Sequence, residues 1–215
     1  MNVLLANFSE IAFAVGLFVL AAASPGPATL MIMGTAMKQG RQAALFLSSG
    51  IICGSLFWAA FAAFGLLALL EISEQLFQVL KYVGGGYLLY LAFKNLRSSL
   101  RPEVSLQDTD FGLREPGKKL FTRGLLIHLT NPKPPAFWLA LLSTTAGIKD
   151  SQDVIALIIS LCCILAATIF VSYSFLFSSE KSIRLYKNAR RPIEGLTGGL
   201  LGLAALKLLT LRTGS

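Results

Sequence analysis

Charge is scarce in this chain. Only 14% of its 215 residues are Asp, Glu, Lys or Arg, where a soluble domain would carry about a quarter. With 54% hydrophobic residues and a mean hydropathy of +0.67, the composition excludes an ordinary soluble domain and indicates an integral membrane protein. Acidic residues are fewer still, 11 against 19 Lys and Arg, leaving a net charge of +8. On a soluble protein that excess would suggest a nucleic-acid partner. Here the basic residues fall between apolar runs, so membrane topology accounts for them and no nucleic-acid partner is expected.

Reactive side chains are equally thin. There is one histidine, His128, and the three cysteines, Cys53, Cys162 and Cys163, sit inside apolar runs without a Cys-x-x-Cys pair. No disulfide framework, metal site or cofactor is expected from them, and they read as small apolar packing residues. The carboxylates Glu10, Glu71, Glu74, Asp150, Asp153, Glu180 and Glu194 all lie near the ends of apolar runs. With no paired carboxylates inside a run and no acid, base or nucleophile constellation, the chain does not read as an enzyme. No Lys or Arg precedes the first apolar run, so it lacks the positive leader of a signal peptide and reads as a retained span.

What the chain has in abundance is apolar length. Six runs, 11–37, 43–70, 76–96, 120–148, 154–177 and 193–211, reach the roughly 20 residues a helix needs to cross a bilayer. The fold expected is all-α and integral to the membrane, with six transmembrane helices. Fourteen of the 19 basic residues follow the first, third and fifth runs, against Lys81, Lys149, Lys207 and Arg212 on the other side. The positive-inside rule then places the fourteen in the cytoplasm and both termini outside it. Residues 98–119 are polar, carry both signs of charge and contain Pro102, Pro116 and Gly117, as a solvated connector would. The expected organisation is a first three-helix half at 1–97, the connector at 98–119, and a second half at 120–215.

Five of the eight prolines fall in two places, Ser24-Pro25-Gly26-Pro27 in the first run and Asn131-Pro132-Lys133-Pro134-Pro135 in the fourth. A proline inside a helix removes an amide donor and displaces the carbonyl four residues back. Unpaired groups of this kind cost roughly several kcal/mol in hydrocarbon, so broken helices survive there only against protein or a wet cavity. A shift of 107 lays Pro25 on Pro132 and Pro27 on Pro134; a shift of 113 lays Gly85 and Gly86 on Gly198 and Gly199. Two halves of three spans each must run in opposite directions. Inverted repeats with broken first and fourth helices are the pattern of secondary transporters that bind substrate near the midplane.

The half-helices are expected to present free amides, at their positive dipole ends, to a carboxylate, and freed carbonyls to an ammonium group. That polarity suits an amino acid zwitterion. Mere kinks sealed by neighbouring helices are the other reading. Lys133 stands at mid-span, at a cost of about 2.5–3.5 kcal/mol, with no acidic residue deep in a run to pair with it. It faces water, freed carbonyls or an anionic substrate group, or it snorkels to the surface. His128 and Asn131, three residues apart, share a face if the helix is intact to the break. His128 and Lys133 are the candidates for proton coupling, although a lone histidine also reads as a packing residue. Tyr87, Tyr90 and Tyr173 are candidates for lining a cavity or anchoring at an interface. The Gly-x-x-x-Gly spacings at Gly50/Gly54, Gly195/Gly199 and Gly198/Gly202, with Gly84-Gly85-Gly86, permit close helix packing and suit homo-oligomer contacts.

These residues together resemble the LysE/RhtB superfamily of bacterial amino acid exporters, most nearly its homoserine and threonine exporter branch. The resemblance rests on Ser24-Pro25-Gly26-Pro27, Gly40-Arg41, Gly50-Ile51-Ile52-Cys53-Gly54, Val83-Gly84-Gly85-Gly86-Tyr87-Leu88, Gly124-Leu125 and Asn131-Pro132-Lys133. It implies a multi-pass protein of the bacterial inner membrane whose partners are the lipid bilayer, protons and an amino acid. It also implies secondary active export of neutral, threonine-like substrates by proton antiport and alternating access. The substrate-binding residues expected on this reading are Ser24, Pro25, Gly26, Pro27, Ala28, Asn131, Pro132 and Lys133. Two departures stand out: Ala28 replaces the Asn or Asp that commonly follows Pro-Gly-Pro in that family, and Pro134 and Pro135 add prolines to the second motif. The alternative class is a membrane channel or scaffold subunit without coupled transport.

Overall fold

The computed structural model describes residues 7–24, 26–69, 74–100, 115–144 and 152–210. The described residues are helical apart from short turns, in eight helices: α1 (Phe8–Ala23), α2 (Pro27–Gln39), α3 (Arg41–Leu69), α4 (Glu74–Ser99), α5 (Gly117–Thr130), α6 (Lys133–Thr144), α7 (Gln152–Leu176) and α8 (Glu180–Thr210). Of the expected connector, residues 101–114 lie outside the described residues, while 117–119 already belong to α5.

Proline chemistry sets the breaks. A residue preceding proline is pushed out of the α region, and Ser24, before Pro25, ends α1 in an extended conformation (φ −68°, ψ 138°). Asn131, before Pro132, ends α5 the same way (φ −76°, ψ 126°). Pro27 then opens α2 at its first position, where a missing N–H costs nothing. Pro134 and Pro135 occupy the second and third positions of α6, within the first turn, whose amides have no intrahelical acceptor. They start that helix and do not disrupt it further. Between α2 and α3 the single residue Gly40 turns the chain at φ 88°, a left-handed conformation that glycine alone adopts without strain.

By length and composition three helices qualify as membrane spans, over Arg41–Phe64, Asp153–Leu176 and Asn188–Thr210. The pair α1 and α2, bent by 50° at its break, qualifies as a fourth when taken together. Large apolar side chains such as Phe57, Phe61, Phe64, Phe93, Leu196 and Leu203 are exposed on the outer surface, as lipid-facing positions require.

Two packing groups meet along the broken helices. In one, α3 packs most extensively on α5 and also on α7 and α2; in the other, α4 packs on α8 and α6. Helix α6 also reaches α3 and α1, and α1 reaches α7 and α8, so the halves of the broken helices join the groups. The closest approach is between α3 and α5. A Cβ on Gly50 would overlap the Phe121 carbonyl, and one on Gly124 the Leu47 carbonyl. One turn on, a Cβ on Gly54 would come within 2.9 Å of the His128 Cβ. The other group uses the same device, with Gly84 against Ala140 and Gly198 against the Ala92 carbonyl and Leu96. Gly86 and Gly199 differ: a Cβ on either meets nothing within 4 Å.

Candidate functional site at the paired helix breaks

The two breaks meet through Lys133. Its Nζ donates to the Ser24 carbonyl at 3.0 Å and to Ser24 Oγ at 2.6 Å, while Ser24 Oγ donates in turn to the Ala21 carbonyl at 2.8 Å. A lysine at the first position of a helix opposes the dipole of that helix. Here the stem carries the ammonium across to the carboxyl end of α1, where the dipole favours a cation. Among the described residues no carboxylate pairs with it. An ammonium has three donors, and the two bonds to Ser24 leave one for a guest.

At α1 the carbonyls expected to be freed have found partners. Ala21 takes the Ser24 hydroxyl, and Ala23 accepts from the Tyr173 phenol at 2.8 Å. Ala22 differs. Its intrahelical donor would be the Gly26 amide, which donates instead to Thr29 Oγ1 at 2.8 Å, with Thr29 Oγ1 returning a bond to the Gly26 carbonyl at 3.0 Å. The Ala22 carbonyl therefore lacks its helical partner, and Ala22 is among the residues that line the cavity described below. Thr29 stands three residues after the residue that caps α2, so the spacing of a capping box was a signal for it that the sequence reading passed over.

The two amino ends are unequal, which corrects the expectation of free amides at both. In α6 the Lys133 amide donates to Asn131 Oδ1 at 3.0 Å, Pro134 and Pro135 have no N–H, and the Ala136 amide bonds the Pro132 carbonyl at 3.4 Å. That end offers an anion no amide. In α2, Ala28 and Thr29 hold the second and third positions, and no acceptor within the helix can reach their amides.

Between the breaks lies a cavity of about 60 Å³. Its polar lining comes from Thr29, Ser55, His128, Asn131 and Lys133, and its apolar walls from Phe18, Phe137, Trp138 and Phe170. Gly26, Ala28 and Pro134 complete the rim. Ala28 is buried, and as an alanine it offers only a methyl group where a polar side chain would add a hydrogen bond. His128 is 5% exposed, packs edge-on to Phe170 with centroids 5.9 Å apart, and leaves Nδ1 without a partner among the described residues. The Phe18 ring meets Phe137 at 5.5 Å and Trp138 at 5.9 Å, tying α1 to α6 beside the cavity. These four aromatic side chains carried no sequence signal that set them apart from core residues.

Of the residues expected at the site, Gly26, Ala28, His128, Asn131 and Lys133 line the cavity, Ser24 grips Lys133, and Pro27 starts α2. Pro132 sits exposed in the turn, and Pro25 lies outside the described residues. The tyrosines separate. Tyr87 packs beside Tyr90 at 5.8 Å, Tyr90 is exposed on α4, and neither lines this cavity. Tyr87 is half-buried against the core and Tyr90 lies on the surface of α4. Tyr173 closes the break from α7 and does not line the cavity. Tyr173→Phe is expected to leave the Ala23 carbonyl unpaired at a cost of about 1–3 kcal/mol, read as a lower thermal midpoint in detergent; an unchanged midpoint would show that the bond contributes nothing.

Helices fractured at matching places, bridged by a half-buried lysine and set among apolar spans, fit a multi-pass membrane transport protein with a cavity between the breaks. The description "LysE type translocator" matches residues 19–212. The chain belongs to that family, a family of translocators and not of enzymes. It is 28% identical over 195 residues to the threonine efflux protein of Escherichia coli K12, covering 90% of this chain and 94% of that one. It is 28% identical over 179 residues to the leucine efflux protein of an Enterobacter strain, covering 83% of each. To the membrane protein YahN of Escherichia coli K12 it is 29% identical over 196 residues, covering 91% of this chain and 86% of that one. No solved structure matches the chain.

Proposed function

We propose that this protein exports neutral amino acids across the bacterial inner membrane, driven by inward proton movement. The observation that carries the reading is the site at the breaks. The third donor of Lys133 and the Ala28 and Thr29 amides suit a carboxylate, and the Ala22 carbonyl suits an ammonium group. The names of the efflux relatives, threonine and leucine, agree with a zwitterion. Four aromatic walls and the methyl of Ala28 favour an apolar side chain over a threonine-like one, because a hydroxyl set against them would lose its bonds to water unless it reached the unpartnered His128 Nδ1.

Six spans in two inverted halves remain the arrangement that suits this function. Helix α4 serves as the third span, and α5 with α6, like α1 with α2, as a broken one. Two pairs of contacts agree with inversion: α3 on α6 with α7 on α2, and α1 on α6 with α5 on α2. The basic residues at and beyond the carboxyl ends of α2, α4 and α7 support cytoplasmic ends there, with both termini outside. Alternating access then rocks one half against the other around the cavity. One charge crossing 100 mV supplies about 2.3 kcal/mol, and a tenfold gradient costs about 1.4 kcal/mol. A single proton could thus sustain export against a gradient of several tens.

Purified protein in sealed vesicles is expected to move labelled leucine in response to a proton gradient. Leucine should compete about tenfold better than threonine, the scale on which an apolar pocket separates side chains. Equal competition would remove the apolar-wall argument. Gradient-independent flux of many solutes would favour a channel, and no flux across a broad amino acid panel would sink the exporter reading.

A further inference from the structure

Away from the cavity, buried polar atoms gather where the carboxyl end of α4 meets the first half of α8. Glu194, 3% exposed, accepts from Arg190 Nε at 2.9 Å through one oxygen, while Oε2 is buried without a partner among the described residues. Arg190 also donates from Nη2 to Ser98 Oγ of α4 at 3.0 Å. One turn back on α4, Asn95 is 7% exposed, and one turn back on α8 the Tyr186 hydroxyl is buried; among the described residues neither Asn95 Nδ2 nor that hydroxyl has a partner. Sequence position had placed Glu194 at a span end, away from any deep role. The structure buries it.

We infer that Glu194 is the carboxylate that takes up and releases the proton exchanged for substrate. The inference rests on the proton-driven export proposed above. The carboxylate adds a proton at Oε2, the oxygen with no bond to lose, and becomes a neutral acid; release of the same proton restores the anion. The change acts on a weak point. Pro192 lies inside α8 between Arg190 and Glu194, so the helix lacks one backbone bond there, and the ion pair straps across the gap. Protonation removes the charge from that strap while Arg190 keeps Ser98.

Two contiguous routes lead from there to the substrate site. Gly198 of α8 packs on Ala92 and Leu96 of α4, and Gly84 of α4 packs on Ala140 of α6, the helix that Lys133 begins. The Tyr186 ring meets Phe177 at 5.1 Å, Phe177 stacks on Tyr173 at 5.5 Å, and Tyr173 holds the Ala23 carbonyl at the first break. Among the residues whose side chains are described, the other ionisable groups near Glu194 are few. On α8, Arg191 is exposed and Tyr186 lies within electrostatic reach of Glu194, Arg190 and Tyr173 of α7. On α4, Lys94 and Arg97 are exposed. Helix α1 meets α8 at the far end, where Lys207 lies over the Phe13 ring at 4.2 Å and Glu10 is exposed.

The test compares leucine flux with and without an imposed proton gradient, using the full-length protein in vesicles across a range of pH. For Glu194→Gln the ratio of the two fluxes is expected to fall to about one, from about ten or more in the unaltered protein, and the pH profile to flatten. A merely structural role would lower both fluxes together and leave the ratio unmoved, which overturns the inference. If Glu194→Gln is not recovered folded, Glu194→Asp decides: the ratio should persist with a displaced pH midpoint, and an unmoved midpoint overturns the assignment. A gradient response absent from the unaltered protein would instead remove proton-driven export itself.

Discussion

Lys133→Met is expected to lower amino acid export about ten- to a hundredfold, the loss that follows when a charge-assisted hydrogen bond worth about 1.5–3 kcal/mol is removed from a bound carboxylate. The variant should still insert and purify as a monodisperse species. Methionine fills much of the volume of the lysine stem, and an apolar side chain relieves the cost of holding an ammonium within a span. The same change leaves the Ser24 carbonyl without its donor. Some loss of thermal stability is therefore expected, but not enough to prevent folding. Binding of labelled leucine to purified protein, with transport in vesicles, checks both parts. Unchanged export kinetics would remove this lysine from the site and leave it a strap between two helix ends.

Gly124→Leu is expected to have the largest effect on stability. A side chain at 124 would have to occupy the space of the Leu47 carbonyl, and backbone cannot move aside as a flexible side chain can. Helices α3 and α5 would separate along the face that carries Gly50, Gly54, Gly124 and His128. Overpacking of this kind costs about 3 kcal/mol or more, corresponding to a drop of roughly 6–12 °C in thermal midpoint for a chain of this size. Export should fall with it, because His128 hangs on the same contact. Gly199→Ala is the control. A Cβ at Gly199 meets nothing within 4 Å, so its midpoint should stay unchanged or rise slightly, as alanine favours a helix over glycine. Equal effects at the two positions would show that glycine matters in these helices for backbone freedom and not for close packing.

The contrast between these glycines shows where sequence reading stops. Gly50/Gly54 and Gly195/Gly199 present the same spacing, and spacing alone cannot tell which members meet a neighbour. That depends on rotation about the helix axis, which is set by whatever packs on the opposite face. The tyrosines divide for the same reason. Tyr87 and Tyr173 both stand in apolar helices, yet only Tyr173 is turned toward a broken carbonyl. Glu194 illustrates a third limit. Distance from the end of a run measures depth along the chain, but burial depends on whether α4 covers that turn of α8, and it does.

The apolar composition, the all-helical class and the two points of fracture were written in the residues themselves. They follow from forces that act within a few residues: the transfer cost of charge, the missing amide of proline, and the steric exclusion of the α region before it. Lys133 was legible as a cation in need of a partner for the same reason. Only the folded chain decided that the partner is Ser24, 109 positions away. The folded chain also decided that the first turn of α6 has its amides taken or replaced by proline while that of α2 does not, and that four aromatic rings form the cavity walls. Those outcomes depend on which faces of distant helices are pressed together, and helix–helix approach is settled by packing across the whole bundle.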